Sequence, residues 1–131
     1  DTNVISEIRK SRPHPGLARW YETVKGTELF LSVLVLGEIQ QGISRLRRRD
    51  RRQAAVYETW LERLHSRFAD RILPVTRDVA LEWGRLNAGH PLPVVDGLLA
   101  ATAAVHGLTL VTRNVEDVAQ SGVALLNPFE D

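Results

Sequence analysis

Four acids stand where a parallel α/β fold would present side chains to a ligand: Asp1, Glu38, Asp96 and Asp117. Asp96 is the most isolated, a carboxylate inside the apolar run "PVVDGLLAATAAVHGLTLV" with no Lys or Arg near it. A convergent set of carboxylates suits phosphodiester hydrolysis. That reaction brings an anionic nucleophile to an anionic phosphate, and a divalent cation lowers the pKa of water and offsets the developing charge. Hard cations take oxygen ligands, and Mg²⁺ keeps several waters and takes few carboxylates. An all-acid set fits that preference in a chain with no cysteine and no clustered histidines. Two carboxylates ~6 Å apart repel by roughly 3 kcal/mol at an effective dielectric of about 20, so a gathered set needs protonation or a cation.

Taken singly, each acid has an ordinary reading. Glu38 reads as a solvated helix residue, Asp117 as a loop acid, and Asp96 as a partner for a helix dipole, worth roughly 0.3 to 1 kcal/mol in a first turn. Glu7, Glu82 and Glu116 read as surface charges, although Glu116 is adjacent to Asp117 and easily confused with it. None of the four histidines has a ligand spacing.

Short β-rich segments alternate with helical patterns. Strands are expected at 29–32, 72–75, 108–112 and 123–126. Helices are expected to start at Ser32 and Thr76 as N-caps. In 54–68, Tyr57, Leu61, Leu64 and Phe68 recur at helical spacing as one apolar stripe. A further helix opens at Pro93 and closes at Gly107, which puts Asp96 in its first turn, and the small residues of "GLLAATAA" let it pack closely. Strands alternating with helices imply an α/β fold with a parallel sheet flanked by helices on both faces, and ligands in such folds bind beyond the carboxyl ends of the strands. There Asp117 follows 108–112, Glu38 lies about two helical turns after 29–32, and Asp1 is placed to end a strand lying upstream of these residues.

The length of 131 residues suits one domain, with no linker or low-complexity tract dividing it. The absence of cysteine excludes disulfides, zinc-thiolate sites and thiol nucleophiles, and points weakly to the cytoplasm. No apolar run reaches the roughly 18 residues of a membrane span. The net charge of +1 conceals "RLRRRDRR", Arg45 to Arg52, which holds six of the 15 arginines against only two lysines in the chain. Guanidinium groups suit phosphate better than ammonium does, so the run reads either as a solvated helix connection or as a contact for a nucleic-acid backbone or acidic partner.

The stretches "DTNVISE", "SVLVLGEIQQGI", "PVVDGLLAATAAVHGLTLVTRN" and "NVEDV" occur in this order from end to end of the chain. Together they resemble the PIN-domain family, most closely its VapC and FitB-like bacterial toxin branch. The resemblance implies a single PIN-like domain whose first strand precedes Asp1, and a ribonuclease dependent on Mg²⁺ or Mn²⁺ that is held inactive by a cognate antitoxin. It implies Asp1, Glu38, Asp96 and Asp117 as the acidic ligands, with Asn3, Thr112 and Asn114 as polar supporting positions. Asn3 reads equally as a cap of the first helix and Asn114 as a turn residue. Arg113, Arg45, Arg47, Arg48 and Arg49 are candidates for holding RNA, the expected products carry 5′-phosphate and 3′-hydroxyl ends, and a homodimer is implied, with Trp20 and Tyr21 available to an interface.

Two other classes remain open, the first of them within what the resemblance implies. One is a toxin-like partner of an antitoxin in a DNA-binding regulatory complex, with little nuclease turnover. The other is phosphoryl transfer through a covalent Asp, which wants a Lys near the site. The only lysines, Lys10 and Lys25, argue against the second.

Overall fold

Helix starts are set by residues that accept from their own first turn. Asp1 Oδ1 accepts from Val4 N at 3.0 Å, and His14 Nδ1 accepts from Gly16 N at 3.1 Å. Ser32 Oγ accepts from Leu34 N at 3.1 Å, Asp50 Oδ1 from Gln53 N at 3.0 Å, and Thr76 Oγ1 from Val79 N at 3.2 Å. These caps satisfy N–H groups that would otherwise have no partner inside the helix. The computed structural model describes residues 1–24 and 28–129; Lys25 lies outside them. The described residues form α1 (Thr2–Ile8), α2 (Pro15–Thr23), β1 (Leu31–Ser32), α3 (Val33–Arg47), α4 (Arg51–Arg67), β2 (Ile72–Leu73), α5 (Arg77–Gly89), α6 (Val94–His106), β3 (Leu110–Val111), α7 (Val115–Val118) and β4 (Leu125–Leu126). A 3-10 turn at Ala119–Ser121 follows α7.

The expected helix starts at Ser32 and Thr76 are present, as is the helix between Pro93 and Gly107. Gly107 closes α6 in the left-handed region at φ 65°, where a side chain would be strained. The expected α/β class with parallel pairing holds too: β1 pairs with β2, and β3 with β4, both parallel. The strands are shorter than the apolar runs suggested. Ser32 ends β1 because its hydroxyl already caps α3, and Pro74 follows β2 without an N–H to continue a ladder.

The chain divides into two compact units, Phe30–Pro74 on one hand and Asp1–Leu29 with Val75–Asp131 on the other. In the unit Phe30–Pro74, α3 buries Val35, Ile39 and Ile43, one residue per turn, and packs on α4. The stripe expected on α4 is present with one change. Leu64 and Phe68 are buried, but Ala54 takes the place deep in the packing that Tyr57 was expected to hold. Tyr57 is half-buried and meets the edge of Trp60, with ring centroids 6.5 Å apart. Arg47 on α3 forms an ion pair with Glu58 on α4, bracing the hairpin near its turn.

In the other unit, α6 carries the most buried face, with Gly97, Leu99, Ala100, Ala101, Thr102 and Ala103 all inside. It packs on α5, β3 and α7. The α5 contact is close at one point: a Cβ on Gly97 would lie 3.0 Å from Trp83 Cδ1. Val4, Leu17, Val79 and Val118 complete the core. No helix among the described residues is long and apolar enough to cross a membrane.

Candidate active site

Asp1 is anchored through both its main chain and its side chain. Its main-chain nitrogen donates to the Val111 carbonyl at 2.7 Å, which ties it to the carboxyl end of β3. Its Oδ1 caps α1, while Oδ2 accepts from Thr112 Oγ1 at 2.6 Å and from Arg113 N at 3.3 Å. Thr112 is only 3% exposed, and its hydroxyl also accepts from Asn114 N at 3.0 Å. One buried hydroxyl therefore orients a carboxylate on one side and the turn leading into α7 on the other. Charged acceptors make the stronger hydrogen bonds, so the Thr112 to Asp1 contact is the dominant link.

Asp96 sits half-buried in the first turn of α6, in the favourable field of that helix terminus, as expected. Asp117 and Glu116 share the first turn of the short helix α7 and are both exposed. Glu38 lies half-buried on α3, in the other unit. Among the described residues, no three His, Asp or Glu side chains are grouped so as to hold a metal ion. The donors are nonetheless all oxygen, which is the chemistry a hard divalent cation accepts.

The supporting positions divide. Thr112 is in direct contact with Asp1. Asn114 contributes its main chain, and its side chain makes no cap to α7. Asn3 does not cap the first helix: it lies inside α1 and is exposed, because the Asp1 carboxylate already fills the capping role.

The arginine run occupies the tip of the α3–α4 hairpin. Arg45 and Arg47 are in the last turn of α3, Arg48 and Arg49 in the connection, and Arg51 and Arg52 open α4. All are exposed, and among the described residues only Arg47 of these has a carboxylate partner. Arg51 and Arg52 stand in the first turn of α4, whose N-terminus already carries the capping carboxylate of Asp50.

Arg113 is exposed but held in place, its guanidinium carbon 3.8 Å over the Phe129 ring. Neither Phe129 nor His14, whose ring meets Phe129 at a centroid distance of 5.3 Å, gave a sequence signal of its own. Phe129 lies 16 residues beyond Arg113 and His14 lies 99 residues before it, so their meeting depends on the tertiary path of the chain. Glu7 is more than a surface charge. The Lys10 ammonium, hydrogen-bonded at 2.8 Å, holds its carboxyl below the ordinary range against partial burial, helped by the His14 N–H and the charges of Lys10 and Arg113. A cavity of 430 Å³ beside Leu86, Gly107 and Gly122 contains none of the candidate acids.

Parallel strand pairs, an acid anchored at a strand's carboxyl end and another opening α6 are the setting in which comparison with known proteins becomes informative. Residues 1–119 match the model of the PIN domain, and the chain belongs to the PIN domain family. Within it, the likeness runs to the FitB and VapC branch. The chain is similar to "Toxin FitB" of Neisseria gonorrhoeae, at 29% identity over all of this chain and 97% of that protein. It is similar to "VapC ribonuclease Y4jK" of Sinorhizobium fredii, at 30% identity over 99% of this chain and 96% of that one. The crystal structure of FitAcB from Neisseria gonorrhoeae superposes with a TM-score of 0.91 at 30% identity, covering 100% of this chain and 97% of that one.

Proposed function

We propose that this chain is a metal-dependent endoribonuclease, the toxin of a toxin–antitoxin pair. The observation that carries the reading is the end-to-end likeness to a protein named as a VapC ribonuclease, at 30% identity over 99% of this chain. The acids assigned to the reaction are the four that the family resemblance implies, Asp1, Glu38, Asp96 and Asp117. Mg²⁺ or Mn²⁺ bound by such oxygens would supply an activated water and charge neutralisation for phosphodiester cleavage.

The chain's own residues have separable tasks. Thr112 and the Arg113 N–H hold the Asp1 carboxylate in one orientation, so that carboxylate needs no reorganisation when a cation arrives. Asp96 lies in the first turn of α6, where the positive end of the helix dipole favours a carboxylate and, in this reading, a cation's ligand. Arg113 and the hairpin arginines Arg45, Arg47, Arg48 and Arg49 are assigned to the RNA backbone. A cognate antitoxin and a second copy of the chain are the proposed protein partners, and the cytoplasm is the proposed compartment.

The test is cleavage of an RNA panel by the purified chain free of antitoxin, with Mg²⁺ or Mn²⁺ and with a chelator. Cleavage is expected only with metal, and Asp96→Asn is expected to abolish it while leaving thermal unfolding in place. Undiminished cleavage by Asp96→Asn, or in chelator, would refute the assignment. A chain that cuts nothing yet binds its antitoxin on operator DNA would instead be a regulatory partner.

A further inference from the structure

Arg113 is tied to the site through its main chain, by the N–H that donates to Asp1 Oδ2 at 3.3 Å. Its side chain has a different anchor. The guanidinium carbon lies 3.8 Å over the Phe129 ring, and among the described residues no carboxylate forms a close ion pair with it, the Glu7 carboxyl feeling its charge only from a distance. Phe129 is itself held in place. Its N–H donates to Asn127 Oδ1 at 2.9 Å, and its ring meets the His14 ring at 66° with centroids 5.3 Å apart. His14 is fixed at both ends, because its ring Nδ1 accepts from Gly16 N at 3.1 Å and its main-chain N–H donates to Glu7 Oε2 at 3.0 Å.

We infer that Phe129 is a positioning residue that holds the Arg113 guanidinium ready for a phosphate of the RNA backbone. The inference rests on the RNA-binding role proposed for Arg113. Its physical basis is the planarity of the group. The ring occupies the face of the guanidinium, where cation–π attraction acts, and leaves the N–H donors in the plane free for phosphate oxygens. An exposed arginine without such a platform surrenders its rotamer freedom when it grips a phosphate, whereas a stacked one has already surrendered it. A carboxylate partner would hold the side chain equally well but would consume the same donors.

The test is a double-mutant cycle on the full chain, read by the binding of a fluorescein-labelled single-stranded RNA with metal chelated so that none is cut. Arg113→Gln is expected to weaken binding and to reduce the slope of log affinity against log salt by about 0.7, one phosphate contact on a single strand. Phe129→Leu, which keeps apolar bulk without the aromatic face, is expected to weaken binding about two- to fivefold. Phe129→Tyr is expected to bind as the native chain does. The double variant Arg113→Gln/Phe129→Leu is expected to be no weaker than Arg113→Gln alone, since Phe129 has nothing left to position. Under cleavage conditions Phe129→Leu is expected to raise KM and leave kcat unchanged.

Native affinity in Phe129→Leu beside a loss in Arg113→Gln overturns the positioning role alone, as do losses that multiply in the double variant. Native affinity in Arg113→Gln removes the RNA contact and the inference with it, whether or not the chain cleaves. Absent cleavage with the expected binding pattern refutes only the enzymatic reading. Thermal unfolding accompanies each variant. If Phe129→Leu fails to fold, Phe129→Met takes its place, and the upfield ring-current shift of the Arg113 δ protons, present in the native chain and Phe129→Tyr and absent from the variant, decides the stacking directly.

Discussion

Replacing Gly97 with Ala sets two effects of similar size against each other, and the structure decides between them. Removing glycine from a helix interior stabilises by about 0.8 to 1 kcal/mol, because alanine has less backbone freedom to lose. At Gly84, inside α5, an added Cβ meets nothing within 4 Å, so that gain should appear in full. At Gly97 the Cβ would lie 3.0 Å from Trp83 Cδ1 and 3.1 Å from Nε1. The indole is not a flexible chain end. It projects from α5 against α6, and its Nε1 is already buried with no hydrogen-bond partner among the described residues. Overpacking of this kind costs about 1 to 3 kcal/mol, which cancels or exceeds the helical gain. Gly97→Ala should therefore be neutral to about 2 kcal/mol less stable than the native chain, while Gly84→Ala is about 1 kcal/mol more stable. Thermal unfolding by circular dichroism measures both, at roughly 2 to 8 °C per kcal/mol for domains in this size range. If the two variants rise in stability together, the close approach of Trp83 to Gly97 does not constrain α6, and the reasoning fails. Because Gly97 follows Asp96, the same displacement would move the first turn of α6, so Gly97→Ala should also lose cleavage that Gly84→Ala retains.

The Thr112 hydroxyl donates to Asp1 Oδ2 and accepts from Asn114 N, so Thr112→Val should cost about 2 to 4 kcal/mol in urea denaturation, with Thr112→Ser close to native. A loss below about 0.5 kcal/mol in Thr112→Val would show that neither bond matters to stability. Glu7 contributes a pH dependence of its own. Its carboxyl is lowered in the folded chain from an ordinary value of 4.5, chiefly by the Lys10 hydrogen bond, so its contribution is present above 4.5 and fades as pH falls through the lower folded value. Denaturation of the native chain and of Glu7→Gln across that range should show a stability gap that closes in acid, and a gap unchanged in strong acid would contradict the assigned cause.

Much of the local structure was legible in the sequence because its causes are local. Ser32 and Thr76 cap helices through N–H groups two and three residues away, and Gly107 ends α6 through its own backbone conformation. The parallel pairing followed from apolar runs alternating with helices, although the runs overstated the strands, since Ser32 and Pro74 stop their ladders for reasons of side-chain chemistry. Of the candidate acids, Asp1 caps α1 and Asp96 and Asp117 stand in first helical turns, positions that capping and helix-start signals in the sequence point to, whereas Glu38 lies in the interior of α3. Of the two readings open for Asn3, the helix cap fails because Asp1, two residues earlier, offers the same chemistry and takes that role. What tertiary structure alone decided are contacts between residues far apart in the chain: Thr112 on Asp1 across 111 positions, Arg113 over Phe129, and Trp83 against Gly97. Composition and periodicity describe which face of an element is apolar, but the partner met across the fold depends on the path of the intervening chain. That path places a threonine hydroxyl, an aromatic ring or an indole edge within a few ångströms of residues whose own neighbours in sequence give no sign of them.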